Sequence, residues 1–172
     1  MNHPTRRDRG LQGARHRARE LALAALFRAD LLELSEADAL ASLGDCQALL
    51  RELREEADKT PAWLDEAARD HALHLVAGVM RHREALDAEL AEFAHEWAPD
   101  RMSGVDRTIL RIALHELSAG EDVPPAVAVN EAVELAKCYG GADSARFVNG
   151  VLGGWLDRHS PPESPGPAVP EA

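Results

Sequence analysis

Apolar residues return every three or four positions through most of this chain, and the strict alternation of a half-buried strand is absent. The pattern predicts a first helix from Ala14 to about Leu34, with Leu21, Ala25, Leu26 and Leu32 turned inward. Residues 35–60 read as one or two charged, exposed helices that start at a Ser35 cap and break near Gly44-Asp45. Their large apolar residues are Leu40, Leu43, Leu49, Leu50 and Leu53. Thr60-Pro61 marks a loop and the start of a helix through Trp63, Leu64, Ala67, Leu75 and Val79. Another helix covers Glu84 to Phe93 and ends near Trp97-Ala98-Pro99. Ser103 opens the next, with Asp106 three residues on as a capping-box partner. Val105, Ile109, Leu110, Ile112, Ala113, Leu114 and Leu117 make that segment apolar nearly all round, so it is expected to be the central buried helix.

Two more amphipathic segments lie between Val123 and Trp155. The first opens at Pro124, whose fixed φ suits a first helical turn, and buries Ala128, Ala132, Leu135 and Tyr139. Gly140-Gly141 ends it, an expected left-handed C-cap. Asp143 or Ser144 caps the second, whose stripe is Phe147, Val148, Val151, Leu152, Trp155 and Leu156. Gly150 reads as a place where another helix approaches closely. The expected fold is all-α, about seven helices in two packed bundles (about 14–98 and 99–158). Residues 1–13 form a disordered basic arm and residues 159–172 a disordered Pro-rich tail.

Composition narrows the class. Ala, Leu, Glu and Arg dominate and aromatic residues are few, as in helical proteins. At 172 residues the chain can bury a real core. No apolar run reaches membrane-spanning length, and the N-terminus lacks the apolar core of a signal peptide. Cys46 and Cys138 stand far apart and make no disulfide framework, so a reducing cytoplasm is the expected compartment. Charge is uneven. Residues 1–19 carry six arginines against one aspartate, a net of +5, which leaves −16 on the other 153 residues of a −11 chain. A basic arm on an acidic body suits a short RNA together with a separate basic protein. A leader without a function has the same composition.

Catalytic and metal chemistry finds little support. His71 and His74 with Glu66 and Asp70 sit on neighbouring turns, and Glu92-x-x-His95 is a single pair where a di-iron bundle needs two. The expectation is surface histidines, no metal, no cofactor and no enzyme; nucleophile-elbow, Walker and dinucleotide patterns are absent. Asn130, Glu131 and Asn149 are polar within apolar helices and read as hydrogen-bonded cross-links. Lys137, Tyr139, Asp143, Arg146 and Phe147 crowd one junction, where rings could stack on bases while cations and helix-end N–H groups hold phosphates. The same residues could equally be two core rings with a solvated charged rim, the better supported reading from this stretch alone. Arg15 and Arg19 stand at i and i+4 in the expected first turn, where they oppose the helix dipole and so hint at an anionic ligand.

Three blocks taken together carry a resemblance: ARHRARELALAALF (14–27), the run from Trp97 through RMSGVDRTILRIALHEL (101–117), and VPPAVAVNEAVELAKCYGGADSARFVNGVL (123–152). In order and spacing they resemble the NusB family of bacterial transcription antitermination factors, from about Ala14 to Leu156. The resemblance is weakest over 35–60. It implies a non-catalytic, two-bundle RNA-binding protein. Such a protein binds boxA RNA with the small-subunit ribosomal protein that serves as NusE. The pair joins RNA polymerase and other Nus factors, so that ribosomal RNA transcription resists termination. By position, it implies an arginine-rich RNA motif at Arg15, His16, Arg17 and Arg19, and an adjoining RNA surface at Lys137, Tyr139, Asp143, Arg146 and Phe147. Asp106 and Glu131 are candidates for the basic partner. Phe27 stands where relatives commonly have tyrosine. His16 stands where an arginine is frequent, which would strengthen binding below neutral pH.

Two other classes remain open. One is the NusB-like domain of certain ribosomal RNA cytosine methyltransferases, which the shortness of the chain argues against. The other is a protein-only adaptor, or a homodimer that hides its own RNA site. The RNA reading requires the arginine-bearing start of the first helix and the Tyr139–Phe147 corner to be neighbours in space.

Overall fold

The computed structural model describes residues 6–54, 66–93, 102–119 and 123–159, with side chains from Gly13 onward except those of residues 53, 54 and 67. Among these residues there are eight α-helices and no strand. They are α1 (Arg6–Leu32), α2 (Glu36–Ala41), α3 (Leu43–Arg54), α4 (Glu66–Arg81), α5 (Arg83–Phe93), α6 (Gly104–Ser118), α7 (Pro125–Tyr139) and α8 (Ser144–His159). The all-helical class is as expected, and the charged stretch after Ser35 supplies two helices, α2 and α3. Expectations for Trp63, Leu64, His95, Trp97, Pro99 and the Pro-rich segment from residue 160 fall outside the described residues.

Helix α1 is the spine of the N-terminal half, packing on α2, α3 and α4, and it also lies against α6. Helix α6 is the hub: it touches α1, α4, α5, α7 and α8. Its buried residues run unbroken from Thr108 to Glu116, as its wide apolar stripe predicts. One contiguous core joins Leu21, Leu26, Leu75, Leu90, Ile109, Leu114, Leu135 and Leu152, so every helix from α1 to α8 contributes to it. Each fully buried Leu or Ile contributes roughly 1.5–3 kcal/mol of burial.

Caps follow the sequence closely. Ser35 Oγ accepts from the Asp38 N–H at 3.2 Å, and Ser103 Oγ accepts from the Asp106 N–H at 3.0 Å. Pro124 is the N-cap of α7, so the helix begins one residue later than its proline pair first indicates.

Four local expectations are corrected. The helix expected to start at Ala14 is continuous from Arg6; no proline interrupts residues 6–13, and their glycines are tolerated within a helix. Arg15 and Arg19 are therefore well inside α1, and the helix-dipole argument for an anion lapses. Gly140 is not left-handed: it is extended, at φ −89° and ψ −177°. Glycine is needed there because an added Cβ would lie 2.5 Å from Ser144 Oγ. Gly150 is exposed, with nothing within 4 Å of where its Cβ would be; the close approach is at Gly78, whose Cβ would overlap the buried His115 ring. Leu32 is not turned inward: it is 58% exposed, beside Leu31 at 66%, while Ala29 and Asp30 of the same turn face the protein. There the chain turns through Glu33 in the left-handed region (φ 52°), and the Leu34 N–H donates back to the Ala29 carbonyl.

Candidate nucleic-acid interface

The charged residues of α1, α6 and α7 sort into those that hold helices together and those that face solvent. Arg19 belongs to the first group. It is 2% exposed, and its Nε–H and Nη2–H donate to the Glu116 carboxylate of α6 at 2.9 and 2.7 Å, while Nη1 reaches Glu131 of α7 at 3.4 Å. Glu116 is also 3.5 Å from His71 of α4. Burial opposes ionisation of Glu116, yet hydrogen bonds from His71 and Arg19, with the Arg19 charge, outweigh it and hold the carboxyl below its ordinary pKa. Arg19 thus cross-links α1 to α6 and α7. It cannot also present its guanidinium to a phosphate, which corrects the expectation that it contacts RNA.

A second buried cluster stitches α1, α5 and α6. Arg111 donates through Nε and Nη2 to both oxygens of Asp87 at 2.6 and 2.7 Å, and through Nη1 to Asp30 at 2.7 Å. Burial lowers the Arg111 pKa, but hydrogen bonds and charges of Asp87 and Asp30 more than reverse this, and the net direction is upward. Arg83 and Arg107 also pair with Asp30.

On the solvent side, the N-terminal half of α1 lies beside the end of α7. His16 Nδ1 is 2.8 Å from Glu131 Oε2, and its Nε2 is 3.5 Å from Glu20 Oε1 one turn along. About two turns beyond Glu131 on α7, the Tyr139 hydroxyl donates to Glu20 Oε1 at 2.9 Å. These bonds join the arginine-bearing stretch of α1 to the α7–α8 junction, so the two places are neighbours. Arg15 is exposed and has no ion-pair partner among the described residues. Arg17 is half-buried, with its Nε buried and unmatched by any described acceptor. Tyr139 keeps 36% of its surface open. Lys137 Nζ donates to Glu134 at 2.7 Å, and Arg146 lies 3.3 Å from Asp143, all four exposed or half-exposed. Arg146 is 87% exposed, so this pair contributes little to stability. Phe147 is half-buried and packs on the core with its inner side.

His16 carries the clearest electrostatic signature. Hydrogen bonds to Glu131 and then to Glu20 outweigh the opposing effect of burial, and its pKa is pushed up to about 9. The ring is therefore a cation throughout the neutral range. That corrects the expectation of binding strengthened by acid, because the proton is already in place well above pH 7.

The two partner candidates differ from their expected roles. Glu131 is committed to His16 and Arg19, and Asp106 is 8% exposed with its Oδ1 lacking a hydrogen-bond partner among the described residues. The expected role of Glu131 as a cross-link between helices does match its contacts. The sequence pattern does not single out Glu20 or Glu116, and His71, expected at the surface, is 17% exposed and faces Glu116. The His16-x-x-x-Glu20 spacing and a charge at position 116 within an apolar run were the available signals. Among the described residues, no group of three His, Cys, Asp or Glu could hold a metal ion, and both cysteines are free. No described helix is long and apolar enough to cross a membrane.

Comparison with known proteins gives the following. A family model described as the NusB family matches residues 16–157. The transcription antitermination protein NusB of Symbiobacterium thermophilum is 49% identical over 140 residues, covering 81% of this chain and 87% of the relative. The protein of the same name from Myxococcus xanthus is 39% identical over 140 residues, covering 81% and 92%. Among solved structures, T. maritima NusB aligns with a TM-score of 0.69 at 28% identity, over 94% of this chain and 96% of that one. A structure of antitermination factors NusB and NusE in complex with dsRNA aligns with a TM-score of 0.64 at 27% identity, over 85% and 98%.

Proposed function

This chain belongs to the NusB family, and on that premise we propose that it is an RNA-binding transcription antitermination factor. Residues 14–158 act as one helical domain that binds boxA RNA together with the small-subunit ribosomal protein serving as NusE. The observation that supports the site most directly is the pair of contacts from α1 to α7, His16 to Glu131 and Tyr139 to Glu20. They bring a cationic stretch and an aromatic corner onto one surface.

On this reading the chain acts by binding alone. Arg15 and Arg17 face the RNA backbone, with Lys137 and Arg146 beyond them, while the His16 cation, held between Glu131 and Glu20, adds positive charge behind them; each phosphate neutralised makes affinity fall more steeply with salt. Tyr139 and the open side of Phe147 stack on unpaired bases, an interaction of ~1–3 kcal/mol per base. Asp143, beside Arg146, is an acceptor for a base amino group. Arg19 serves only to hold α1 in place. The basic partner docks on the acidic body and raises RNA affinity, and by linkage RNA raises the partner's affinity equally. A factor acting on nascent transcripts works in the bacterial cytoplasm, and on this reading RNA polymerase and other Nus factors are reached through the complex.

The test is RNA binding by anisotropy, with boxA-like and scrambled single-stranded RNA, in the presence and absence of the ribosomal partner. Tighter binding of the boxA-like RNA, increased by the partner, is expected. Equal binding of both sequences under both conditions would exclude the proposal.

A further inference from the structure

Glu20 is a carboxylate fully removed from solvent, in the segment of α1 that otherwise supplies cations. Its Oε1 accepts from the Tyr139 hydroxyl at 2.9 Å, across a sequence gap of 119 residues, and lies 3.5 Å from His16 Nε2. Tyr139 is the last residue of α7, immediately before the Gly140-Gly141 break. A ring at a helix terminus, with over a third of its surface in water, has several rotamers open to it unless something fixes its far end. A hydroxyl donating to a buried carboxylate is a charge-assisted bond, about twice as strong as a neutral one. The cross-link between α1 and α6 is made by Arg19 and Glu116, whereas the bond from Tyr139 to Glu20 ties α1 to the last residue of α7.

We propose that Glu20 is a positioning residue for nucleic-acid binding, holding the Tyr139 ring from below so that its open face is presented to a base beside the cations of α1. The proposal rests on the RNA-site reading given above and adds one claim to it: the tyrosine hydroxyl matters although it never touches RNA. A phenylalanine would have the same stacking face but no tether. The loss is then one of pre-organisation, since an unheld ring must be ordered at the moment of binding.

Five proteins separate the possibilities: the full chain, Tyr139→Phe, Glu20→Gln, the double variant of these two, and Tyr139→Ala, each titrated into a fluorescein-labelled boxA-like single-stranded RNA. Tyr139→Ala reports on the RNA site itself and should weaken binding about five- to a hundredfold, the range of one lost stack. Tyr139→Phe keeps the ring and should weaken binding about two- to tenfold, the range of one net hydrogen bond. Adding Glu20→Gln to Tyr139→Phe should cost little more than Tyr139→Phe alone, because both changes cut the same tether. Tyr139 is the single tyrosine in the chain, so ring-labelled tyrosine gives one NMR correlation that reports its mobility without interference. In Glu20→Gln that signal should sharpen and move toward its free-residue position, which a purely structural role for Glu20 would not produce. If Tyr139→Ala weakens binding while Tyr139→Phe binds like the unmodified chain, the tether proposal is overturned and the RNA site stands. If Tyr139→Ala also binds normally, the RNA-site reading fails with it. Tyr139→Phe removes one hydroxyl and keeps the ring, so it remains decisive if Glu20→Gln folds poorly.

Discussion

Replacing Arg19 by methionine separates a structural arginine from an RNA-binding one. Arg19 is 2% exposed and Glu116 1%, and removing the guanidinium leaves the buried Glu116 carboxylate with the His71 ring, 3.5 Å away, beside it. Breaking a buried pair from one side costs about 3–5 kcal/mol, since a charge is left in a low-dielectric site without its counter-ion. For a domain of this size each kcal/mol lowers the melting temperature by roughly 2–4 °C, so Arg19→Met should melt about 6–20 °C lower. The double change Arg19→Met with Glu116→Met removes both charges and should recover much of that loss, because an apolar pair of similar volume is close to neutral. Thermal unfolding followed by circular dichroism at pH 7 gives the stability. RNA titration at low temperature, where every variant is folded, gives binding. A melting temperature within about 2 °C of the unmodified chain, together with a collapse in RNA affinity, would refute the buried cross-link and return Arg19 to the RNA surface.

Other consequences follow from the same contacts. His16 has a folded pKa raised to about 9 from an ordinary 6.5, so its stabilisation is full below pH 6.5 and is lost as pH rises through 9. His16→Gln should therefore cost up to about 3 kcal/mol near pH 6, with the gap to the unmodified chain closing above pH 9; a gap that widens with pH would contradict the geometry. RNA affinity of the unmodified chain should be flat between pH 6 and 8, as the cation is present throughout. Glu33→Gly relieves a left-handed backbone at the end of α1 and should stabilise by about 1 kcal/mol in denaturant titration; no gain would mean the side chain compensates for the strain. Gly78→Ala drives a Cβ into the His115 ring and should destabilise by about 1–3 kcal/mol; a neutral result would show that the ring can move aside.

What the sequence disclosed depended on whether the signal was periodic or relational. The wide apolar stripe of α6 and the serine caps at Ser35 and Ser103 are local, and all three are found in the fold. The start of α1 was harder, because residues 6–13 have helix-compatible composition without an apolar face to reveal it. At the candidate interface, residue type indicated a basic and aromatic surface but could not distinguish Arg15 from Arg19. Both sit on one helix a turn apart, and only the arrival of Glu116 from α6 decides which is buried. His16 shows the same limit: its ordinary titration range suggests a switch, and two carboxylates, one from α7, remove it. Leu32 has the right period and is still exposed, while Ala29 and Asp30 of its turn face the protein. Tertiary partners, which a linear pattern does not specify, account for each of these differences.

The central claim is that one RNA lies across the Arg15–Arg17 segment of α1 and the Tyr139–Phe147 corner at once. Zero-length photocrosslinking of boxA-like RNA to the full chain, with adducts mapped by mass spectrometry, measures this directly. Adducts on both the peptide containing Arg15–Arg17 and the peptide containing Tyr139–Phe147 are predicted, with both suppressed by excess unlabelled RNA. Adducts confined to α3, α4 or the exposed Leu31–Leu32 end of α1 would contradict the account.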